Sequence, residues 1–352
     1  MLRKAVIPVF ILLWLAGTVR AAREVSGKVT WHLLLHPPEG IHRIRLWLPY
    51  PPSNRFQHIS GLEIRGNYRC EGFYTDQRGN PILYFEWNDP HPPEAEVTVS
   101  WAVRRREVVR RDFSRQRPLP PDPAVFREYL SGNRYINLND PRLAEILAGV
   151  LPGKRTVVEK ARALYLWVIA HLRRDPRVKG CGPGIVCDVL RRGCGKCADL
   201  NSVFVALCRA AGIPAREVFG LRLGREPRET LTGAQHCWTE FFVPGYGWVP
   251  ADPADVLKAA LQKDLDPLSP ELAPLREYYF GAVDPYRVEL SRGRDLLLNP
   301  PQSGPPVNYF VYPYLEYDGK PVDLFTSPTV DFEIRWETRD PAGSVESLAA
   351  GD

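Results

Sequence analysis

Past residue 21 this chain has no run that approaches about 18 uninterrupted apolar residues, the length a membrane-crossing helix needs. Nothing in the body of the sequence therefore reads as a span. It also lacks a charge excess. Without residues 1–21 it carries 43 basic and 41 acidic side chains, against a net +5 for all 352 residues, and a chain so near neutrality offers no global case for nucleic acid. Lysine is scarce, since arginine supplies 37 of the 46 cations; codon bias or heat adaptation is the first reading. The cluster Arg104, Arg105, Arg106, Arg110 and Arg111 reads as a solvated strand face, with a grip on an anionic surface as the alternative. There is no internal repeat. Paired short cysteine spacings of the structural-zinc kind are missing too, because Cys181, Cys187, Cys194 and Cys197 are separated by five, six and two residues. No metal and no other cofactor is expected.

The N-terminus is the exception to the first absence. Arg3 and Lys4 precede the apolar run Ala5 to Gly17, and Val19-Arg20-Ala21 offers small residues where a signal peptidase reads. Residues 1–21 are expected to be a secretory signal and the protein to be exported, periplasmic or extracellular; an uncleaved membrane anchor is the alternative. Export permits disulfides. Seven cysteines allow three and leave one thiol over, for which Cys197 is the natural choice. Cys181 and Cys187 are near enough in sequence to pair, but spacing does not fix connectivity.

What is present divides the chain. Residues 22–112 alternate apolar and polar in short runs, such as Ile44, Leu46, Leu48 against Arg43, Arg45, Trp47, and are broken by Pro37-Pro38, Pro51-Pro52 and Gly79-Asn80-Pro81. This predicts an all-β, sandwich-like domain. Residues 113–140, with the stiff stretch Arg117 to Pro123, read as a linker. A core follows over 141–258, where Thr156 with Glu159 forms a capping box ahead of the stripe Ala161, Leu164, Tyr165, Val168, Ile169, Leu172. Residues 259–339 form an extension whose strand-like stretches Tyr309–Tyr317 and Val330–Trp336 should return to a sheet, which one being unreadable. Residues 340–352 read as a disordered tail.

The chemistry gathers in the core. Leu200, Val203, Phe204, Leu207 and Ala211 mark a helix closed by Gly212 and Pro214, so Cys197 falls at its first turn. Unpaired amides and the positive helix end favour a thiolate there, and with Gly195 allowing close approach the same amides could donate to an oxyanion. Cys237–Val243 and Trp248–Asp252 flank the turn Pro244-Gly245-Tyr246-Gly247 as a hairpin, which brings His236 and Asp252 near each other. A thiol, an imidazole and a carboxylate are the parts of a cysteine nucleophile site. Asp199 has a blander reading as a carboxylate at a helix N-terminus.

Four blocks, Gly195-Lys196-Cys197, Gly212-Ile213-Pro214-Ala215-Arg216, His236-Cys237-Trp238-Thr239-Glu240 and Gly247-Trp248-Val249-Pro250-Ala251-Asp252-Pro253, resemble the transglutaminase-like superfamily over roughly residues 140 to 256. The resemblance implies an α+β fold: a papain-like transglutaminase core, here preceded by the all-β sandwich-like domain. It implies Cys197 as nucleophile, His236 as general base and acid, and Asp252 as orienting carboxylate. The expected activity is acyl transfer from a peptide bond or a glutamine carboxamide, hydrolysis favoured over cross-linking, on a protein or peptide substrate that includes cell-wall peptide. Two alternatives stand beside it: a non-catalytic binding module that keeps the fold, and a dithiol redox protein using Cys194-Gly195-Lys196-Cys197. A Cys194–Cys197 disulfide would mask the nucleophile.

Overall fold

The computed structural model describes residues 23–118 and 123–338. The expected signal over 1–21, the expected tail over 340–352 and the middle of the proline-rich linker lie outside the described residues.

The alternating runs of the N-terminal region form six strands: β1 (Glu24–Leu35), β2 (Arg43–Pro49), β3 (Gln57–Gly66), β4 (Cys70–Thr75), β5 (Pro81–Asn88) and β6 (Ala95–Arg106). β1 pairs antiparallel with β6 along its whole length, and β6 with β3. β2 pairs with β5, and β5 with β4. Because successive side chains point to opposite faces, Trp31, Leu33, Val97, Val99 and Trp101 of one sheet meet Ile44, Leu46, Leu48, Phe85 and Trp87 of the other in a single apolar core.

Between β6 and the end of the chain lies a helical unit with its own sheet. Its main helices are α1 (Pro141–Val150), α2 (Val157–His171), α3 (Val186–Arg192), α4 (Cys197–Ala210) and α5 (Pro253–Lys263). Its strands β7 (Ala215–Arg222), β8 (Gln235–Val243), β9 (Gly247–Ala251) and β10 (Arg287–Arg292) form an antiparallel sheet in the order β9-β8-β7-β10. α2 begins where its capping box predicts: Thr156 Oγ1 accepts from the Glu159 N–H at 3.2 Å, and Glu159 accepts from the Thr156 N–H at 2.9 Å. α4 departs from a one-sided stripe. Every residue from Cys197 to Cys208 is buried, so it is a central helix surrounded on all sides, and its polar members need partners inside the protein.

The two returning stretches do not share a sheet. β11 (Tyr314–Tyr317) pairs with β2, and β12 (Val330–Thr338) pairs with β1. The sandwich is thus closed by both ends of the described chain, and the helical unit is inserted within it. Arg228–Thr230, from the helical unit, adds to the outer edge of β12.

Two readings of charged strand faces need correction. Trp47 and Arg45, expected to face outward, are buried because Leu296, Leu298 and Phe310 cover that face of β2 and Arg45 pairs with Glu316 at 3.2 Å. The arginine cluster is not a single solvated face either. Arg106 pairs outside with Glu24 at 2.7 Å, but Arg105 points inward and donates to the Arg287 carbonyl at 2.6 Å, while Arg110 and Arg111 donate to the Tyr246 and Tyr278 carbonyls. These guanidiniums bind the sandwich to the helical unit.

Candidate active site

Cys197 is the first residue of α4. Asp199 fixes the geometry there: Oδ2 accepts from the Lys196 N–H at 2.9 Å and Oδ1 from the Gly184 N–H at 2.8 Å. One carboxylate therefore caps the helix and ties down the loop 181–184. Gly195 is required by this packing, since a Cβ on it would fall 2.4 Å from the Asp199 Cβ. The bland reading of Asp199 is the structural one, with an added role as a clamp.

The tied loop brings Cys181 to the sulfur of Cys197, which lies 3.9 Å from the Cys181 carbonyl oxygen. Hydrogen bonds from the Cys181 thiol and then the Cys237 thiol, with the His236 imidazole added, outweigh burial and hold Cys197 well below the usual thiol range. The two neighbours are pushed the other way. The Cys181 thiol is raised by its bond to Cys197 and by burial, and the Cys237 thiol by burial and then by Cys197. Of the three clustered thiols, Cys197 is the one favoured to ionise.

His236, near the start of β8, and Asp252, just past β9, come together because β8 and β9 pair with Thr239 opposite Ala251. His236 Nε2 and Asp252 Oδ2 are 2.7 Å apart. Asp252 is also the N-cap of α5, its Oδ1 accepting from the Asp255 N–H at 3.2 Å and from Asn201 Nδ2 at 3.3 Å. Asn201, one turn along α4 from Cys197, further donates to the Cys237 carbonyl at 2.9 Å. A single amide thus locks helix to hairpin. Pro250 is tolerated because β9 is the edge of its sheet.

All seven cysteines are free thiols. Neither the Cys181–Cys187 nor the Cys194–Cys197 pairing that the sequence allows is formed, and the C-x-x-C is divided by its backbone. Cys194 lies on a short parallel ladder with Arg173, whereas Cys197 starts the helix. The thiols that act on Cys197 are Cys181 and Cys237.

Residue-level reading of the sequence missed the charges behind the imidazole. Arg287 on β10, fully buried, donates Nη1 to Asp252 and Nη2 to Asp255, with Nε 3.0 Å from Asp284 Oδ2. Arg222 on β7 takes the other oxygen of Asp255, which itself lies 3.6 Å from His236 Nε2. Burial works against the Asp255 carboxylate, but Arg222 and Arg287 hold it well below the ordinary range. His236, Asp252 and Asp255 offer ligand atoms within 4.8 Å of one another. That set does not suit a metal ion, because two guanidiniums already occupy the carboxylate oxygens a dication would need and would repel it. No local pattern signals Arg287: an arginine in the alternating run Arg-Val-Glu-Leu-Ser-Arg looks solvent-facing.

Cys197 and His236 are each only 3 % exposed. Tyr312 donates to the Cys181 sulfur at 3.5 Å and Tyr309 to the Gly182 carbonyl at 2.9 Å, so the segment before β11 packs over the loop beside Cys197.

Cys197 at a helix start and His236 and Asp252 at the ends of a hairpin thus stand within a mixed α+β architecture. Residues 144–253 match the Transglutaminase-like superfamily. Over 317 residues the chain is 32% identical to an uncharacterized protein of Haemophilus influenzae, covering 83% of this chain and 85% of that relative. The chain belongs to the family of that protein and carries the fold of the transglutaminase-like superfamily. A crystal structure from Cytophaga hutchinsonii, described as that of a candidate cysteine protease, is similar in fold across 89% of this chain and 90% of its own, with a TM-score of 0.56 at 13% identity. The periplasmic domain of TgpA from Pseudomonas aeruginosa, 18% identical, covers 66% of this chain and 90% of that domain with a TM-score of 0.33. Among the described residues no helix is long and apolar enough to cross a membrane.

Proposed function

We propose that this protein is an exported cysteine enzyme that transfers the acyl group of a peptide bond or glutamine carboxamide through a thioester on Cys197, with water as the favoured acceptor. The observation that carries the reading is a buried Cys197 at a helix start in the same site as a His236 ring whose Nε2 lies 2.7 Å from Asp252 Oδ2, with the Cys181 and Cys237 thiols and then the His236 imidazole holding the sulfur well below the usual thiol range.

The Cys197 thiolate attacks the carboxamide carbon, and the C=O electron pair moves to oxygen. Of the amides at the helix start, Lys196 N–H is taken by Asp199 and Ala198 N–H donates to the Cys181 carbonyl at 2.8 Å. Two of the donors expected from sequence are thereby committed elsewhere, and the Cys197 N–H is the one left to face the oxyanion. The protonated His236 gives its proton to the leaving nitrogen as the C–N bond breaks. Water then adds to the thioester, His236 takes its proton, and the C–S bond breaks to release acid and restore the thiolate. Asp252 holds the ring and balances the imidazolium. A protein or peptide substrate, cell-wall peptide included, fits this chemistry. A pure binding module has no use for a thiolate.

Cys197→Ala should lower turnover about 10⁴-fold or more and abolish capture by iodoacetamide. A dansylated amine with a glutamine-rich protein, run beside a peptide-hydrolysis assay, separates amine from water as acceptor. A Cys197→Ala protein that turns over as fast as the parent would end the proposal.

A further inference from the structure

The imidazole of His236 faces two carboxylates, not one, and this is a chemical difficulty. Asp252 Oδ2 lies 2.7 Å and Asp255 Oδ1 3.6 Å from His236 Nε2, and both carboxylates are buried. Two buried negative charges set this close to each other and to one ring repel strongly in a site of low dielectric unless a cation lies between them. Asp255 is nonetheless kept ionised, and the group that makes this tolerable is Arg287, whose guanidinium spans both carboxylates and reaches within 3.4 Å of the same nitrogen.

We propose, resting on the acyl-transfer reading above, that Arg287 is a positioning residue which splits the work of the two carboxylates: it turns Asp252 toward the ring as its orienting partner and withdraws Asp255 as a counter-charge, so that one carboxylate alone orients His236. Arg287 is fully buried and acts through the two carboxylates it spans. It comes from β10, beyond the segment that matches the superfamily core. Its own position is over-determined. The ring of Tyr279 lies under the guanidinium at 4.6 Å, Asp284 is within 3.0 Å of Nε, and the Arg287 carbonyl accepts from Arg105 of the sandwich.

The titratable and charged groups around the imidazole come from every packed element. They are Cys197 on α4, Cys237 on β8, Asp252, Asp255 and the more distant Lys258 at and within α5, Arg222 on β7, Arg287 on β10, Asp284 and Tyr279 from the preceding segment, and Tyr165 on α2. Within ion-pair distance three carboxylates face two guanidiniums. Removing a guanidinium and removing a carboxylate should therefore act in opposite directions.

The test needs no substrate. The rate of alkylation of Cys197 by iodoacetamide is measured against pH in the full protein, alongside Arg287→Gln, Arg287→Lys and Asp255→Asn, with Cys197→Ala as the blank and thermal unfolding as a check on folding. The inference expects the profile of Arg287→Gln to move to higher pH by about one unit and that of Asp255→Asn to move to lower pH by a similar amount. Arg287→Lys should fall between parent and Arg287→Gln, since a lysine keeps the charge but not the fork. Profiles that stay in place, or move in the same direction in both charge-removing variants, overturn it, and if Arg287→Gln does not fold, the direction of Asp255→Asn alone decides. A parent thiol that alkylates like an ordinary cysteine instead overturns the acyl-transfer reading, so the two failures are distinguishable.

Discussion

The sandwich and the inserted helical unit share one apolar core but differ in what they add to it. Five of the largest fully buried side chains are tryptophans, Trp31, Trp47, Trp87, Trp101 and Trp336, and all five belong to sandwich strands. The interior of the helical unit instead holds Asp199, Glu217, Asp252, Asp255, Asp284, Arg287 and Arg294, joined by ion pairs and backbone donors. Apolar area stabilises in rough proportion to its size and asks little of direction. Buried charge contributes little net stability, because desolvation offsets most of the attraction, but it tolerates only one arrangement. Both regions bury apolar area, and the helical unit adds a network of buried charge that fixes geometry.

Three measurements would sharpen or break that contrast. The largest loss is expected from Trp101→Ala, whose ring is buried in the sandwich and meets Tyr50 edge-on. It should cost about 3–5 kcal/mol in urea unfolding while leaving Cys197 alkylation unchanged in the folded state. A loss below about 1 kcal/mol would mean that this apolar core is not what holds the sandwich.

Glu217→Gln comes next. Arg294 donates to Glu217 at 2.6 Å, and both are almost fully buried beside Ser202. The variant strands the guanidinium, at about 3 kcal/mol near neutral pH. Burial alone would push the Glu217 carboxyl up, but Arg294, Arg209 and Ser202 outweigh it and hold it below the ordinary range. A carboxyl depressed in the fold gives its full contribution above its unfolded value, near about 4.3, and loses it as pH falls through the lower folded value. Urea midpoints should therefore drop for the parent over that acid window and drop less for the variant. Parallel curves would remove Glu217 as a source of acid sensitivity.

Thr156→Ala carries the smallest effect, about 1 kcal/mol, as it deletes one capping bond at the start of α2. A calorimetric Tm unchanged within error would show that tertiary packing alone sets that helix end.

The places of Cys197 at a helix start and of His236 and Asp252 at the ends of a hairpin were legible in the chain because each residue sits beside a strong local signal. Cys197 precedes a periodic apolar run, and His236 and Asp252 flank a proline-glycine turn. Asp255, Arg287 and Cys181 had no such flag. Their meaning arises when β10 docks against β7 and when Asp199 draws in the loop 181–184, contacts that no nearby residue encodes. Arg105 misled for the same reason, since a run of arginines looks solvated until a second unit covers it. The returning strands were legible as strands, but their sheets were not, because β11 and β12 find partners nearly the whole chain away.

That distance bears on how the protein can be cut. A fragment trimmed to the superfamily match would keep Cys197, His236 and Asp252 but sever β10, leaving buried carboxylates without Arg287 and the edge of β7 without its neighbour. Anyone shortening this protein for expression would do better to keep both flanks and clip only outside the strands that begin at Glu24 and finish at Thr338.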